Sequence, residues 1–561
     1  MATNREAPTG GIPGPVPKDW LPGLAENWKS DVVSGAIIFL IALPLSLGIA
    51  LASGAPPIAG IITAIVGGML VSLLSGSHVT INGPAAGLIV IVLGSIEALG
   101  AGDPIAGYRY ALAVGVACGI IQIALGLLRA GAMTSFFPLS VVHGMLAGIG
   151  VIIMFRQIHV ALGATPEFHV DFPLFHGLNP ILSVPGSLAH FNPYVTIIGI
   201  VSMLIMLTWP SLKKVAKIIP APLVAAVAGV VLAIVFGLGV ERTYSALGRE
   251  AQLGPKLLLD LPEGGLLGGL TSPDFGKIFT ATSIRWIVAY VFVASLESLL
   301  TAAAIDKMDP WKRRSNMNRE FVGKGIGNAL SSMVGGLPMI AEVVRSSANV
   351  FNGARTRWSN FVHGLLILLF VMFLPTVLEM IPLAALAGIL VIIGWRLAHP
   401  RQFVEAGRIG KEELALMLVT IILVVIEDLL VGVAAGVIVG LAIALARGTS
   451  IGNLFKPRVA VMEDPATGRT TLKFSGALGF GNFIGVRGRL DKLAKGKTVV
   501  LDFTDCRFID HTVVERLHDF EEEYLREGGH VEKIGFDGLV RTTDHPFSAR
   551  KRVATPTYAA A

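Results

Sequence analysis

The run GPAAGLIVIVLGSIEALG, residues 83–100, opens with glycine and proline and continues as a short apolar segment. A second run, GGLPMIAEVVRSSANVF at residues 335–351, has the same plan, with Gly335 and Gly336 before Pro338. Proline is tolerated at the first position of a helix and disfavoured inside it. Each run therefore predicts a short helix that starts within a membrane, at Pro84 and at Pro338.

The composition is that of a membrane protein. Of 561 residues, 53% are hydrophobic and only 15% are charged, with a mean hydropathy of +0.70, whereas about a quarter of the residues in soluble domains are charged. Cys118 and Cys506 lie in unrelated contexts, which excludes a disulfide framework or a zinc site of paired thiolates. The net charge of +6 is typical of basic cytoplasmic loops, so no nucleic-acid partner is expected.

Between residues 31 and 448 the chain reads as about fourteen apolar segments, each long enough for a full or partial crossing. They start near residues 32, 56, 84, 108, 134, 193, 218, 284, 324, 338, 358, 381, 412 and 429. The two Gly-Pro runs are the third and tenth, which are equivalent places if the segments divide as seven plus seven. Short interrupted segments in matching halves are typical of inverted-repeat transporters with a site near the bilayer midplane. The predicted fold is therefore an α-helical polytopic membrane protein built as a seven-plus-seven inverted repeat.

The distribution of basic residues predicts the orientation. The stretch from Gln157 to Leu212 has no Lys or Arg and should face outward, so both termini should face the cytoplasm. The link between segments eight and nine is rich in basic residues, which are Lys307, Lys312, Arg313, Arg314, Arg319 and Lys324.

Four regions are expected along the chain. Residues 1–30 form a cytoplasmic N-terminal lead, 31–448 the membrane transporter domain, 455–545 a soluble cytoplasmic domain and 546–561 a disordered, basic tail. In the soluble domain, Val499 to Phe503 reads as a buried strand. A helix should open at Asp510 and end at Gly528-Gly529, so that this domain is α/β.

Two helix starts at the midplane would present unpaired backbone N–H groups and positive dipole ends to an anion. The predicted main-chain donors to substrate are Ala85, Ala86 and Gly87 in segment three, and Met339, Ile340 and Ala341 in segment ten. The alternative is that these small residues only allow close packing of neighbouring helices.

Glu297 lies in an apolar run of segment eight, where an ionisable group is costly and suggests function. Thr301 lies four residues on and shares its helical face. These oxygens would suit Na⁺ or a transported proton, so both are candidate coupling-ion residues, and the only candidate metal ligands (for Na⁺). The alternative is a structural carboxylate paired with Arg345 or another base.

Glu342 and Arg345 lie three residues apart in segment ten, so they can pair. A carboxylate so close to an anion site should repel substrate unless it is protonated or neutralised. Glu342 is therefore a third candidate coupling-ion residue, and a static salt bridge with Arg345 is the open alternative. We find no catalytic constellation and no Walker A loop, so neither an enzyme nor an ATP-driven pump is expected.

The ordered motifs LPLSLG (43–48), SGAPP (53–57), GSH (76–78), GGLP (335–338), RSSAN (345–349) and GART (353–356) resemble the sulfate permease (SulP) family of anion transporters. The C-terminal region, with Asp510 and Thr512, resembles the STAS domain of that family. The resemblance covers about residues 27–540. It implies a mobile core domain made of segments one to four and eight to eleven, a gate domain made of the rest, and a homodimer.

The resemblance also assigns roles. Arg345 matches the site arginine of the family and is a candidate substrate-binding residue. Family members with an acidic residue and a threonine at the places of Glu297 and Thr301 are similar to sodium-coupled bicarbonate transporters. Thr512 lies where related antagonists carry a phosphorylatable serine and is the candidate regulatory residue. The alternative for Asp510 and Thr512 is that they only cap the helix.

The leading expectation is a secondary active transporter that takes up bicarbonate with Na⁺ by an elevator-type movement. It would lie in a bacterial inner membrane among lipid, need no cofactor beyond Na⁺ or H⁺ as coupling ion, and resemble members often associated with carbonic anhydrase. The alternatives are a proton-coupled sulfate or dicarboxylate transporter, a membrane-anchored regulator, and an anion channel. The choice of anion, the coupling ion, the stoichiometry and the electrogenicity stay open at this point.

Overall fold

The computed structural model describes residues 15–131, 137–164, 178–246, 249–464, 469–494 and 496–552. The chain falls into two compact units. Unit 1 comprises Met1–Gly131 and Ile149–Leu397, and unit 2 comprises Ala132–Gly148 and Ala398–Ala561. The predicted lead before residue 15 and the predicted tail after residue 552 lie outside the described residues.

Helices make up most of the described chain. Those of the first half are α1 Trp20–Ala52, α2 Pro57–Ile65, α3 Ser72–Leu74, α4 Ile89–Gly100, α5 Pro104–Leu127, α6 Leu139–Leu162, α7 Asn179–Leu182, α8 Val184–Ala189, α9 Pro193–Thr208, α10 Val215–Ile218, α11 Ala221–Phe236 and α12 Gly265–Gly268. Those of the second half are α13 Ala281–Met308, α14 Met317–Met333, α15 Val343–Phe351, α16 Trp358–Phe373, α17 Pro375–Glu379, α18 Leu383–Leu397, α19 Pro400–Ile409, α20 Lys411–Ile426, α21 Leu429–Ala446, α22 Ile451–Phe455, α23 Phe480–Leu490 and α24 His511–Arg526.

Many of these helices suit a membrane. Within the described residues, eight helices are long and apolar enough to cross one. Three shorter apolar helices, Ala86–Gly100, Ala221–Phe236 and Trp358–Phe373, accompany them. The predicted helical, multi-pass membrane protein is confirmed. The first helix begins at Trp20, so it includes residues that the sequence assigned to the lead.

Two short strands of unit 1 pair with each other. Strand β1 (Asn82–Pro84) pairs antiparallel with β4 (Met339–Ala341), and Gly83 lies opposite Ile340. A 3₁₀ turn, Ala86–Leu88, leads from β1 into α4, and α15 follows β4 after one residue. The helices therefore start after the strands and not at Pro84 and Pro338, because the residues around each proline are extended and pair between the two strands. Unit 1 also holds the hairpin of β2 (Arg242–Ala246) and β3 (Arg249–Leu253).

Unit 2 contains a six-stranded sheet with helices against it. Its strands are β5 Arg458–Asp464, β6 Arg469–Leu478, β7 Thr498–Ile509, β8 His530–Ile534, β9 Leu539–Arg541 and β10 Arg550–Arg552. The order is β5-β6-β7-β10-β9, with β8 also on β7, and the β6–β7 and β7–β8 pairs are parallel. Leu501, Phe503, Leu517 and Phe520 lie in one buried cluster that joins β7 to α24. The predicted buried strand and the helix after Asp510 are confirmed.

The end of the sheet corrects one boundary. Strand β10 pairs with β7 and β9, so ordered structure continues to Arg552. The assignment of residues 546–552 to a disordered tail was wrong. Lys and Arg in this stretch had suggested a solvated tail, but Arg552 donates to the carbonyl oxygens of Phe503 and Cys506 at 2.7 and 2.8 Å.

Candidate functional site

The pairing of β1 and β4 brings the starts of α4 and α15 to the same place in unit 1. The first turn of a helix has N–H groups with no partner inside the helix. On the α4 side, these groups belong to Ala86 and Gly87, because the first turn closes with the Leu88 N–H donating to Ala85 O at 3.1 Å. Two of the residues predicted as donors in segment three therefore lie at a helix start that an anion would favour.

On the α15 side, the available donors differ from the prediction. The Met339 N–H donates to Asn328 Oδ1 at 2.6 Å, and the Ala341 N–H donates to Ser298 Oγ at 3.3 Å. Strand pairing and these contacts engage the stretch Met339–Ala341, so the choice of Met339, Ile340 and Ala341 as free donors was wrong. The helix begins later, and the N–H groups without a helical partner are those of Val343 and Val344.

Glu297 lies against the start of α4. Its side chain projects from α13, and it occupies the space that a Cβ on Gly87 would fill. The residue is only 8% exposed, and its Oε1 is buried without a hydrogen-bond partner among the described residues. An unpaired buried carboxylate oxygen is costly. It suits a site whose remaining ligand is a proton or a cation.

The predicted neighbour Thr301 lies one turn further along α13 and is 3% exposed. Both oxygens are thus buried on one helix, as the spacing predicts. Carboxylate and hydroxyl oxygens are hard ligands that Na⁺ accepts. The donor set fits a sodium ion, and the role of the two residues stays a prediction.

Glu342 and Arg345 form an ion pair at the start of α15. Arg345 Nε lies 2.7 Å from Glu342 Oε2, although the angle is not that of a hydrogen bond. The guanidinium is fully buried, and it donates to Pro84 O at 3.3 Å and to Ser46 Oγ at 3.5 Å. Arg345 therefore ties segment ten to segments three and one. Arg345 thus pairs with Glu342 and not with Glu297, although the sequence had left a pair between Arg345 and Glu297 open.

The charges at the two helix starts do not balance. Glu297 and Glu342 are close enough to repel each other, and Arg345 supplies one positive charge. The three groups, when ionised, therefore sum to one negative charge. An incoming anion would add to this excess unless a cation or proton arrives with it.

A buried ion pair that was not predicted from the sequence supports β1. Lys324 Nζ lies 2.7 Å from Glu320 Oε1, and both side chains are at most 1% exposed. Lys324 also donates to Asn82 in β1. Glu320 accepts hydrogen bonds from the N–H groups of Gly76 and Ser77 at 3.0 and 3.3 Å.

Lys324 had been counted among cytoplasmic loop charges, which was wrong because it lies inside α14. The i, i+4 spacing of the two opposite charges in a glycine-rich helix was the available signal.

Uncharged groups support β4 in a different way. Asn328 Nδ2 donates to Gln122 Oε1 at 2.7 Å, and Gln122 Nε2 donates to Ser295 Oγ at 3.1 Å. Asn328 in turn accepts from Met339, as described above. Three helices, α5, α13 and α14, thus fix the strand through amide and hydroxyl groups.

The candidate regulatory residue lies in unit 2. Thr512 is buried, and its Oγ1 accepts a hydrogen bond from the Leu139 N–H at 3.2 Å. Asp510 caps α24 by accepting from the Val513 N–H at 2.7 Å and from the Phe480 N–H. Burial raises the pKa of Asp510 to about 6, against the lowering effect of those two hydrogen bonds. The capping alternative describes Asp510, and a phosphorylation role for Thr512 stays a prediction.

Comparisons with known proteins agree with this architecture. Residues 28–420 match the model of the sulfate permease family. The chain is 27% identical over 531 residues to the putative sulfate transporter YvdB of Bacillus subtilis, covering 93% of this chain and 94% of that protein. It is 26% identical over 532 residues to the bicarbonate transporter BicA of Synechocystis sp., covering 92% and 89%.

Solved structures give the same result. The transmembrane domain of a cyanobacterial bicarbonate transporter BicA superposes with a TM-score of 0.61 at 26% identity, covering 72% of this chain and 97% of that one. The overall structure of SLC26A9 gives a TM-score of 0.64 at 15% identity, covering 91% and 84%, which shows a shared fold. The six-stranded sheet of unit 2 is consistent with a STAS domain. The chain therefore belongs to the sulfate permease family of anion transporters, and it is a transporter rather than an enzyme.

Proposed function

We propose that the protein is a secondary active carrier that takes up bicarbonate together with Na⁺. The observation that carries this proposal is the Glu297 carboxylate, which lies buried at the start of α4 with one oxygen that has no hydrogen-bond partner among the residues described. A carboxylate there gives the anion site a net negative charge, so a cation must neutralise it before an anion can bind favourably. Glu297 and Thr301 would hold that cation, and the N–H groups of Ala86, Gly87, Val343 and Val344 would bind the anion.

The choice of bicarbonate rests on relatives. Two relatives named bicarbonate transporter BicA match this chain over most of its length. Others are named as sulfate transporters, which keeps sulfate as the competing substrate. A sulfate or dicarboxylate carrier driven by protons is the second candidate. It is favoured by Glu342, a second carboxylate that could carry a proton beside the anion.

An elevator-type movement is part of the proposal. Arg345 on α15 binds Pro84 and Ser46, and Lys324 on α14 binds Asn82. These contacts hold both helix starts in one body with their neighbours, which suits a core domain that moves as a unit and carries the site across. The seven-plus-seven inverted repeat, the homodimer, the bacterial inner membrane, the cytoplasmic termini and an association with carbonic anhydrase belong to the same proposal.

The proposal is tested with purified, full-length protein in liposomes. Uptake of labelled bicarbonate, sulfate and succinate is measured with an inward Na⁺ gradient, an inward proton gradient, or neither. We expect bicarbonate uptake that requires Na⁺. Sulfate or succinate uptake driven by protons would support the second candidate instead. Ohmic currents far above the turnover of a carrier would indicate a channel, and no flux in any condition would indicate a regulator.

A further inference from the structure

Each of the two helix starts already has a carboxylate beside it. Glu297 lies at the start of α4, and Glu342 is the residue that immediately precedes α15. Helix starts attract negative charge, so both carboxylates sit where a transported anion would also be favoured. The two differ in one respect, because within the part of the chain that the structure describes only Glu342 has a cationic partner.

The ion pair with Arg345 favours the ionised form of Glu342 over the neutral form. A guanidinium stays protonated in proteins, and at 2.7 Å it stabilises the ionised form of a carboxylate. The positive charge of Arg345 is thus largely compensated by Glu342, and the side chain of Glu342 is 14% exposed while that of Arg345 is fully buried. An anion that reaches the start of α15 therefore meets the carboxylate before it meets the guanidinium.

We propose that Glu342 sets the charge class of the transported anion and favours monovalent over divalent anions. The repulsion between a fixed carboxylate and a bound anion scales with the charge of the anion, so a divalent anion is penalised about twice as strongly. Neutralising Glu342 also releases Arg345, which adds an attraction that is again larger for the divalent anion. Glu342 thus acts as a specificity-determining residue at the anion site of the proposed function, on which this inference rests.

The test measures binding at a constant, saturating concentration of Na⁺, so its outcome does not depend on whether Na⁺ is transported with the anion. Thermal stabilisation of the purified, full-length protein is titrated with bicarbonate and with sulfate at constant ionic strength, and each affinity is obtained from the shift. The proteins compared are wild type, Glu342→Gln, Glu342→Asp and the control Glu379→Gln. Glu379 is an exposed residue of α17 in the same unit.

We expect Glu342→Gln to gain affinity for sulfate relative to bicarbonate by about tenfold. Glu342→Asp, which keeps the charge and withdraws it by one methylene, should give a smaller gain, and Glu379→Gln should leave the ratio unchanged. An unchanged ratio in Glu342→Gln, or no anion binding by any of the four proteins, would overturn the inference. If Glu342→Gln does not fold, an unchanged ratio in Glu342→Asp has the same consequence. Failure of Na⁺-dependent uptake in liposomes would overturn the proposed function alone.

Discussion

The starts of α4 and α15 have the same backbone plan and different electrostatics. Each follows a three-residue strand, and the two strands pair with each other. At α15 the nearby carboxylate, Glu342, forms an ion pair with Arg345, whereas at α4 the carboxylate of Glu297 has no cationic partner among the described residues. Two nearly equivalent helix starts thus give one compensated and one uncompensated negative charge. In the proposals made above, cation coupling belongs to the α4 side and anion selection to the α15 side.

The largest expected effect concerns the side chains that hold β1. They form an ion pair, whereas the side chains that hold β4 are uncharged. Lys324→Met leaves Glu320 buried without its partner, and the free energy of unfolding should fall by about 3–5 kcal/mol. The double variant Glu320→Gln/Lys324→Met removes both charges and should regain most of this loss. Denaturant unfolding of the purified protein measures both. A double variant no more stable than Lys324→Met would show that the pair is not the source of the effect.

The second largest effect is expected from moving the Glu297 carboxylate away from the start of α4. In Gly87→Ala, the added methyl overlaps the carboxyl group of Glu297. The obstacle is the end of a side chain, so the fold can adapt by turning Glu297 aside, and overpacking costs about 1–3 kcal/mol. We expect Na⁺-driven uptake to fall by about tenfold to hundredfold. The control Gly239→Ala meets nothing within 4 Å and should transport normally. Normal uptake by Gly87→Ala would mean that Na⁺-driven transport does not require Glu297 to lie against Gly87.

The third effect is expected from weakening the ion pair between Glu342 and Arg345 at the start of α15. Arg345→Lys keeps the positive charge but cannot reach Glu342, Pro84 and Ser46 at once, as the guanidinium does. We expect partial function, with uptake reduced by about tenfold, since a hydrogen bond to a charged group contributes about 1.5–3 kcal/mol. The maximal rate and the apparent Km are measured separately. Full activity would show that the side chain has only a packing role.

The smallest expected effect concerns a third helix start, that of α24 in unit 2, which serves as a reference. Burial raises the pKa of Asp510 from 3.8 to about 6. Its protonated form therefore favours folding, and this contribution is fully present below pH 3.8 and lost as the pH rises through about 6. We expect amide protection factors across α24 to fall over this range in wild type, by at most about 1 kcal/mol in opening free energy because Asp510 is still partly exposed to solvent. Asp510→Asn, which can still cap the helix, should lack this slope. The same slope in both proteins would assign it to another group.

The sequence predicted the elements that local patterns determine. The Gly-Pro runs located both helix starts to within a few residues. A short apolar run predicted β7, and apolar positions at helical spacing predicted α24. The predicted donors of segment ten failed for a non-local reason. Met339 and Ala341 are engaged by Asn328 and Ser298 and by pairing with β1, and nothing within the run from 335 to 351 specifies those partners.

Charges near segment ends were harder to assign. Lys324 follows a basic link in the sequence, so counting basic residues by position placed it in a loop. It is buried because α14 packs against the stretch before β1. Glu342 and Arg345 were predicted to be able to pair because their spacing is local, and the structure has that ion pair. The absence of a partner for Glu297 Oε1 among the described residues depends on every neighbouring element, which a single sequence does not reveal.

The most direct test of the account measures labelled Na⁺ and labelled bicarbonate uptake together, in liposomes containing wild type or Glu297→Gln. We predict that wild type moves both ions and that each flux requires the other. Glu297→Gln should need at least about tenfold more Na⁺ for half-maximal bicarbonate uptake, because a neutral amide replaces the charged ligand. Bicarbonate uptake that does not depend on Na⁺ in wild type, or an unchanged Na⁺ requirement in Glu297→Gln, would contradict the assignment of Glu297 as the coupling site.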